Sequence, residues 1–256
     1  MKKSAILNNL YQSKNRGRKK LAVLIDPDEQ GDAGHLGRLI EKCVAHGVDL
    51  FFVGGSLVTS SDQGEIIKRL KAMSDIPVVL FPGNHMHLDE GADAVLLLSL
   101  ISGRNPDYLI GQHVLAAPFL KKSNMEILPT GYILVGNDRN TTVAYISNSL
   151  PIPPDKIPIA ICTAMAGEMM GLRLIYLDAG SGAHEPVTSE MIRKVRDSID
   201  IPLIVGGGLN TVGKIEKALA AGADMIVIGN GIEKGHNLLD EAMTLLKTYN
   251  KKLDID

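Results

Sequence analysis

The stretch that decides the fold runs Asp200-Ile201-Pro202-Leu203-Ile204-Val205-Gly206-Gly207-Gly208-Leu209, and resumes at Gly222-Ala223-Asp224-Met225-Ile226-Val227-Ile228-Gly229-Asn230-Gly231. Leu203–Val205 and Met225–Ile228 are short, β-branched and apolar at every position, the pattern of a parallel strand covered on both faces. Proline at a strand start removes no central ladder bond. Gly222 ends the preceding helix in a left-handed conformation. The same phrasing recurs upstream. Asp75-Ile76-Pro77 opens Val78–Phe81, Gly91-Ala92-Asp93 precedes Ala94–Leu98, and Gly47-Val48-Asp49 precedes Leu50–Val53. Leu21–Ile25, Tyr132–Val135 and Leu174–Leu177 complete a set of eight strands. Eight such strands in 256 residues predict one α/β domain over 1–256, a (β/α)8 or TIM barrel, with residues 1–18 as an N-terminal helical extension.

The repeat has a defect. Pro202 to Gly222 is 20 positions, enough for strand, loop and helix, whereas Pro77 to Gly91 is 14. The shorter span must hold the third strand, Pro82-Gly83-Asn84 and His85-Met86-His87, so a full crossover helix does not fit. The barrel is expected to be modified, its third helix missing or reduced to a turn.

Other segments read as helices at 5–14, 34–46, 63–73, 106–120, 155–170, 189–198, 211–221 and 237–248, with Asp155, Thr188 and Thr211 as N-caps. Thr141 to Ile146 reads as a short extra strand or hairpin arm, broken off by Pro151, Pro153 and Pro154. The mostly apolar 155–170 helix reads as a core or subunit-interface element, so a homo-oligomer is expected.

Apolar residues make up 45%, charged residues 22% and the net charge is -2, the balance of a soluble globular protein without the basic excess of a nucleic-acid binder. Lys14, Arg16, Arg18, Lys19 and Lys20 form a basic run that reads as a solvated face, with transient contact to an anionic lipid surface as the alternative. Cys43 and Cys162 lack metal-ligand spacing and read as buried free thiols of a reducing compartment. No signal-peptide pattern and no run of about 20 apolar residues is visible, so a cytoplasmic protein is expected.

In a barrel of this kind the chemistry sits at the C-terminal ends of the strands. Gly206-Gly207-Gly208 follows the seventh strand and Gly229-Asn230-Gly231 the eighth. Glycines there let backbone N–H groups approach an anion beside a helix N-terminus, and these two loops are the usual phosphate site of the fold. Asp26-Pro27-Asp28 follows the first strand and Gly54-Gly55-Ser56 the second. A carboxylate and a hydroxyl at one rim suit Mg²⁺ completed by water and substrate phosphate; capping of the following turns is the other reading. Asp178-Ala179-Gly180-Ser181-Gly182 follows the sixth strand, and Tyr176 shares a face with Asp178 by strand alternation. Asp178 is therefore a candidate base or hydroxyl-orienting acceptor, unless this is only a structural turn. His85 and His87 have no third ligand at metal spacing and read as loop histidines.

These motifs resemble those of the geranylgeranylglyceryl phosphate synthase family, which includes bacterial heptaprenylglyceryl phosphate synthases. The resemblance is carried by Leu24-Ile25-Asp26-Pro27-Asp28, Val53-Gly54-Gly55-Ser56, Phe81-Pro82-Gly83-Asn84, Tyr176 to Ala183, Val205 to Leu209 and Ile228 to Glu233. It implies a modified barrel lacking its third helix. It also implies an enzyme that joins the 3-hydroxyl of sn-glycerol 1-phosphate to a polyprenyl diphosphate, geranylgeranyl first among them, and releases pyrophosphate. Asp26 and Ser56 would ligate Mg²⁺. Tyr176, Leu177, Asp178, Ala179, Gly180, Ser181, Gly182, Gly207, Gly208, Gly229 and Asn230 would bind glycerol phosphate, with Asp178 and Tyr176 catalytic. The prenyl chain would enter through the gap of the missing helix, along Ser99 to Gly103. The family has glutamate where Asp178 stands, so Asp178 acts on the hydroxyl directly or through a water.

Two other readings remain open on the residues alone. A phosphosugar isomerase or synthase would use the same phosphate loops and pair Asp26 with Asp138 after the fifth strand. A non-catalytic barrel would bind a phosphate ligand and do no chemistry.

Overall fold

The computed structural model describes residues 4–29, 33–59, 62–136, 141–229 and 237–253. Eight parallel strands close in sequence order into a barrel: β1 (Lys20–Ile25), β2 (Leu50–Gly55), β3 (Val78–Pro82), β4 (Ala94–Leu100), β5 (Glu126–Leu134), β6 (Leu174–Asp178), β7 (Leu203–Gly206) and β8 (Met225–Ile228). β8 returns to β1 through the register Val23 to Ile228. The helices are α1 (Ala5–Asn15), α2 (Ala33–His46), α3 (Gln63–Met73), α4 (Gln112–Lys122), α5 (Thr142–Ser147), α6 (Ile157–Met169), α7 (Ser189–Arg196), α8 (Val212–Ala220) and α9 (Leu238–Lys252).

Strand alternation divides the core in two. Leu21, Phe51, Ile133, Leu177 and Val205 face the helices, while Phe52, Phe81, Tyr132 and Tyr176 fill the barrel interior. The interior aromatics touch in a chain. Phe52 stacks on Phe81 at 6.3 Å between ring centroids, and Tyr132 meets Tyr176 edge-on at 5.4 Å.

The third helix is reduced as expected. Between β3 and β4 lies one 3-10 turn, His85–His87, capped by the Asn84 side chain accepting from Met86 N at 2.8 Å. Thr188 and Thr211 cap α7 and α8 as expected. The 106–120 segment divides into a π-type turn, Asp107–Gly111, and α4.

Four expectations are corrected. Thr141 to Ile146 is no strand: the Thr141 hydroxyl accepts from Ala144 N, and Asn148 stops α5 in the left-handed region at φ 47°. A closed barrel offers no edge for a ninth strand, so local capping prevails over β-branched propensity. Asp155 does not cap α6. Lys156 holds that position without a side-chain cap bond, and Asp155 pairs with Lys156 at 2.8 Å. Cys162 is exposed, while Cys43 is buried. The basic run is not wholly solvated. Lys20 donates to Asp49 at 2.7 Å, and Lys19 is buried enough to lower its pKa.

β5 starts six residues before the apolar run that marks it. Glu126, 7% exposed, lies at the barrel floor and accepts from Ile6 N and Leu7 N, both at 2.9 Å. One carboxylate thus satisfies two open amides of the first turn of α1 and fastens that helix across the floor. Among the described residues no helix is long and apolar enough to cross a membrane. Ile110, Val114, Leu115 and Phe119 near and along α4, and Ile159 and Met169 on α6, are exposed.

Candidate active site

The C-terminal ends of the strands surround a polar cavity of about 470 Å³. Its wall includes Asp26, Gly55, Ser56, Tyr176, Asp178, Gly180, Ser181, Gly182, Gly207, Gly208 and Gly229, drawn from β1, β2, β6, β7 and β8. Five loops far apart in sequence therefore deliver their expected site residues to one space. Leu177 and Ala179 do not line it. Their side chains belong to the core between strands and helices, because residues adjacent in a strand point to opposite faces. The Ala179 amide is also committed, donating to Gly206 O at 3.2 Å. Asn230 and Asp138 lie outside the described residues.

Gly207 and Gly208 take φ of 77° and 70°, a conformation that L side chains adopt at a cost. They press on the β6 loop: a β-carbon on Gly208 would lie 2.9 Å from Pro186 N. α8 begins four residues later behind its Thr211 cap, so its positive end supports the cradle. Among the described residues no lysine or arginine lines the cavity, so an anion here is met by backbone N–H groups.

Asp178 is 6% exposed. Burial raises its pKa, opposed by two donors, the Tyr132 hydroxyl to Oδ2 at 2.5 Å and the Gly180 amide to Oδ1 at 2.8 Å. Tyr132 did not emerge from the sequence, where it read only as the first residue of an apolar strand. A tyrosine two positions before the strand end, next to a strand ending in aspartate, was the available signal. Tyr176 lies below Asp178 at the cavity floor and reaches β7 beside Gly206. Burial and the Asp178 charge raise both phenols well above 10.0, so neither phenol is a base at neutral pH.

Asp26 faces these groups across the cavity. Its Oδ1 accepts from Asp28 N at 3.0 Å, so capping holds as one of its roles. Its Oδ2 lies against Gly55, where a β-carbon would come within 2.9 Å. The donor set suits a hard cation that shares its shell with substrate. Asp26 and Ser56 offer oxygen only, and no group of three or more His, Cys, Asp or Glu capable of holding a metal occurs among the described residues. Asp26, Glu29 and Asp178 give the cavity three carboxylates. A diphosphate entering it needs a counter-cation that the lining side chains do not provide.

A second, apolar groove adjoins the cavity. Gly55, Ser56 and Phe81 line both. Beyond them the groove is walled by Leu88, Val95, Leu96, Leu98, Leu100, Tyr132 and Ala116, and it passes Asn84 and His85 in the place of the missing helix. Of the expected segment Ser99 to Gly103, only Leu100 lines it; the Ser99 hydroxyl lies against His113 of α4 at 3.1 Å, and Ile101 packs toward Gly167 of α6. His85 is held by Gln112, its amide donating to Gln112 Oε1 at 3.0 Å, as befits a loop histidine.

The chain matches the PcrB family over residues 14–248. It is 53% identical to a geranylgeranylglyceryl phosphate synthase of Spirosoma linguale, over 95% of this chain and 98% of that one. It is 40% identical to a protein of the same name from Pyrococcus abyssi, over 93% of each. Among solved structures, (S)-3-O-geranylgeranylglyceryl phosphate synthase from Thermoplasma acidophilum, in complex with its substrate sn-glycerol-1-phosphate, superposes with a TM-score of 0.89 at 31% identity, covering 97% of this chain and 100% of that one. Thiamine phosphate pyrophosphorylase from Pyrococcus furiosus, at 15% identity and a TM-score of 0.56, shares the fold alone. With the motifs gathered at one barrel mouth and relatives this similar over nearly its whole length, the protein belongs to the geranylgeranylglyceryl phosphate synthase (PcrB) family of prenyl-transferring enzymes.

Proposed function

We propose that the protein forms the ether bond between the 3-hydroxyl of sn-glycerol 1-phosphate and C1 of a polyprenyl diphosphate, releasing pyrophosphate in lipid biosynthesis. The observation that carries this reading is the junction at Gly55, Ser56 and Phe81, where a polar, glycine-lined cavity opens into an apolar groove. A phosphosugar isomerase needs the cavity and has no use for the groove. In the relative from Thermoplasma acidophilum the substrate present is sn-glycerol-1-phosphate.

On this reading the acceptor phosphate rests on the Gly207-Gly208 and Gly229 backbone, which turns its 3-hydroxyl toward Asp178. The prenyl tail lies in the groove and its diphosphate projects to Asp26 and Ser56. Bound Mg²⁺ would neutralise the diphosphate and make it a better leaving group. Asp178 orients the hydroxyl and accepts its proton as the oxygen forms its bond to C1. The C1–O bond to diphosphate breaks, and its electron pair leaves with pyrophosphate. The groove and the aromatic layer exclude water, which would otherwise capture an allylic cation.

Purified protein given glycerol 1-phosphate and prenyl diphosphates of increasing length, with Mg²⁺ and with a chelator, tests the reading by product mass. An ether product lost on chelation is expected. No product from any donor, or full turnover in chelator, overturns it. We also propose that the exposed apolar faces near and along α4 and on α6 pair two copies of the chain, which sedimentation of the purified protein tests.

A further inference from the structure

We propose that Tyr132 is a positioning residue that ties the apolar groove to the acceptor carboxylate. Its ring forms part of the groove wall, and its hydroxyl donates to Asp178 Oδ2 at 2.5 Å and holds that carboxyl group in place. The inference rests on the proposed prenyl transfer.

The register makes this contact possible. Tyr132 stands opposite Tyr176, while Asp178 stands opposite Leu134, two residues further on. The offset along the strands is about 6.6 Å, which a tyrosine side chain spans. Aspartate is short, so its carboxylate stays close to β6 and within reach of that hydroxyl. The ring is fixed from two sides, against Tyr176 at 5.4 Å and Phe81 at 6.1 Å between centroids. Phe81 lines cavity and groove alike, so a chain seated in the groove presses on the aromatic layer that carries the Tyr132 hydroxyl.

The direction of the effect follows from the partners of Asp178. Tyr132 faces it from β5 and Tyr176 from its own strand, while β7 offers only the glycine backbone. The Gly180 amide donates from the following loop, where His184 also lines the cavity, and Asp26 and Glu29 stand on the β1 side. Among these groups Tyr132 is the neutral side-chain donor on the carboxylate. A phenol that stays protonated favours the carboxylate over the carboxylic acid. Without the hydroxyl, Asp178 ionises at higher pH and its carboxylate loses one of two anchors.

Tyr132→Phe keeps the groove wall and removes the hydroxyl. The acid limb of the kcat/KM profile is expected to move up by about one pH unit, as loss of one hydrogen bond to a charged group requires. Glycerol 1-phosphate binding should stay within about threefold, and kcat at neutral pH should fall by about tenfold. In an Asp178→Asn background the same change should add little, because the two groups act as a unit. If Tyr132→Phe folds poorly, by its melting temperature, 3-fluorotyrosine at position 132 serves instead. Its stronger donor should move the acid limb to lower pH. Carboxyl-carbon NMR of Asp178 in the wild type and Tyr132→Phe reads the same shift without turnover, so a failure of the prenyl-transfer reading stays distinguishable from a failure of this one. An unmoved acid limb and an unmoved Asp178 titration overturn the tie, whatever happens to kcat.

Discussion

Gly207 opens the loop after β7 and Asp178 ends β6, yet the two are packed so closely that a β-carbon on Gly207 would collide with Asp178 Oδ1 and with the amides of Ala179 and Gly180. The proposed phosphate cradle and the candidate base are therefore one packed unit. Its glycine supplies both a left-handed turn, at φ 77°, and the space for the carboxylate.

Gly207→Ala should damage both functions of that unit. The left-handed backbone alone costs an alanine about 1–2 kcal/mol, and the collision pushes Asp178 off its place. Calorimetry should show glycerol 1-phosphate binding weakened about tenfold or more, with a lower melting temperature. Unchanged binding would mean that the cradle is not where the phosphate rests.

Asp26→Ala addresses the opposite wall. Prenyl transfer should be abolished while glycerol 1-phosphate still binds, because Asp26 stands at the proposed diphosphate end, away from the glycine cradle. Magnesium titration of the two proteins, read by activity and by metal binding, checks this. Wild-type turnover in the variant counts against Asp26 as a ligand.

Asp178→Asn makes a pH-dependent prediction. Burial is the main cause that lifts the Asp178 carboxyl above 3.8. A folded-state value above the unfolded one means that the native protein holds this proton more tightly. Its contribution to stability is present below 3.8, is lost as pH rises through the folded-state value, and is flat beyond it. Asparagine has no such dependence. The melting temperature of the variant minus that of the wild type should therefore rise with pH across this window. Activity should fall on the order of 10²-fold or more. A difference that falls with pH would show that the hydrogen bonds outweigh burial.

The two cysteines should differ in reactivity. Cys43 is buried and its pKa is pushed up to about 12 by desolvation, whereas Cys162 is exposed on α6. At pH 8 a thiol reagent should label Cys162 in the native protein and reach Cys43 only on unfolding. Protection of Cys162 that is lost on dilution would instead support pairing of two copies across α6. Labelling of both at equal rates would contradict the core packing around Cys43.

The repeated phrases around Pro77 and Pro202 made the barrel legible, and the short interval from Pro77 to Gly91 made the missing helix legible. Both follow from period and chain length. The glycine loops, Asp26, Ser56, Tyr176 and Asp178 were legible because strand ends in such a barrel all open on one mouth. The beginning of β5 was not, since Glu126 and Pro129 look unlike a strand; what justifies Glu126 is α1, more than a hundred residues away. The α5 segment was misread because its β-branched composition says nothing about whether a strand edge is available.

The sequence by itself determined which residues stand at the barrel mouth, because alternation and strand ends are local matters of spacing. Only the tertiary structure decided which of them meet. The Tyr132–Asp178 contact depends on the register of β5 against β6, and the junction of cavity and groove depends on the ends of β2 and β3 meeting at Gly55, Ser56 and Phe81. Register and convergence are set by closing the sheet on itself, a condition on all eight strands at once that no single stretch of sequence records.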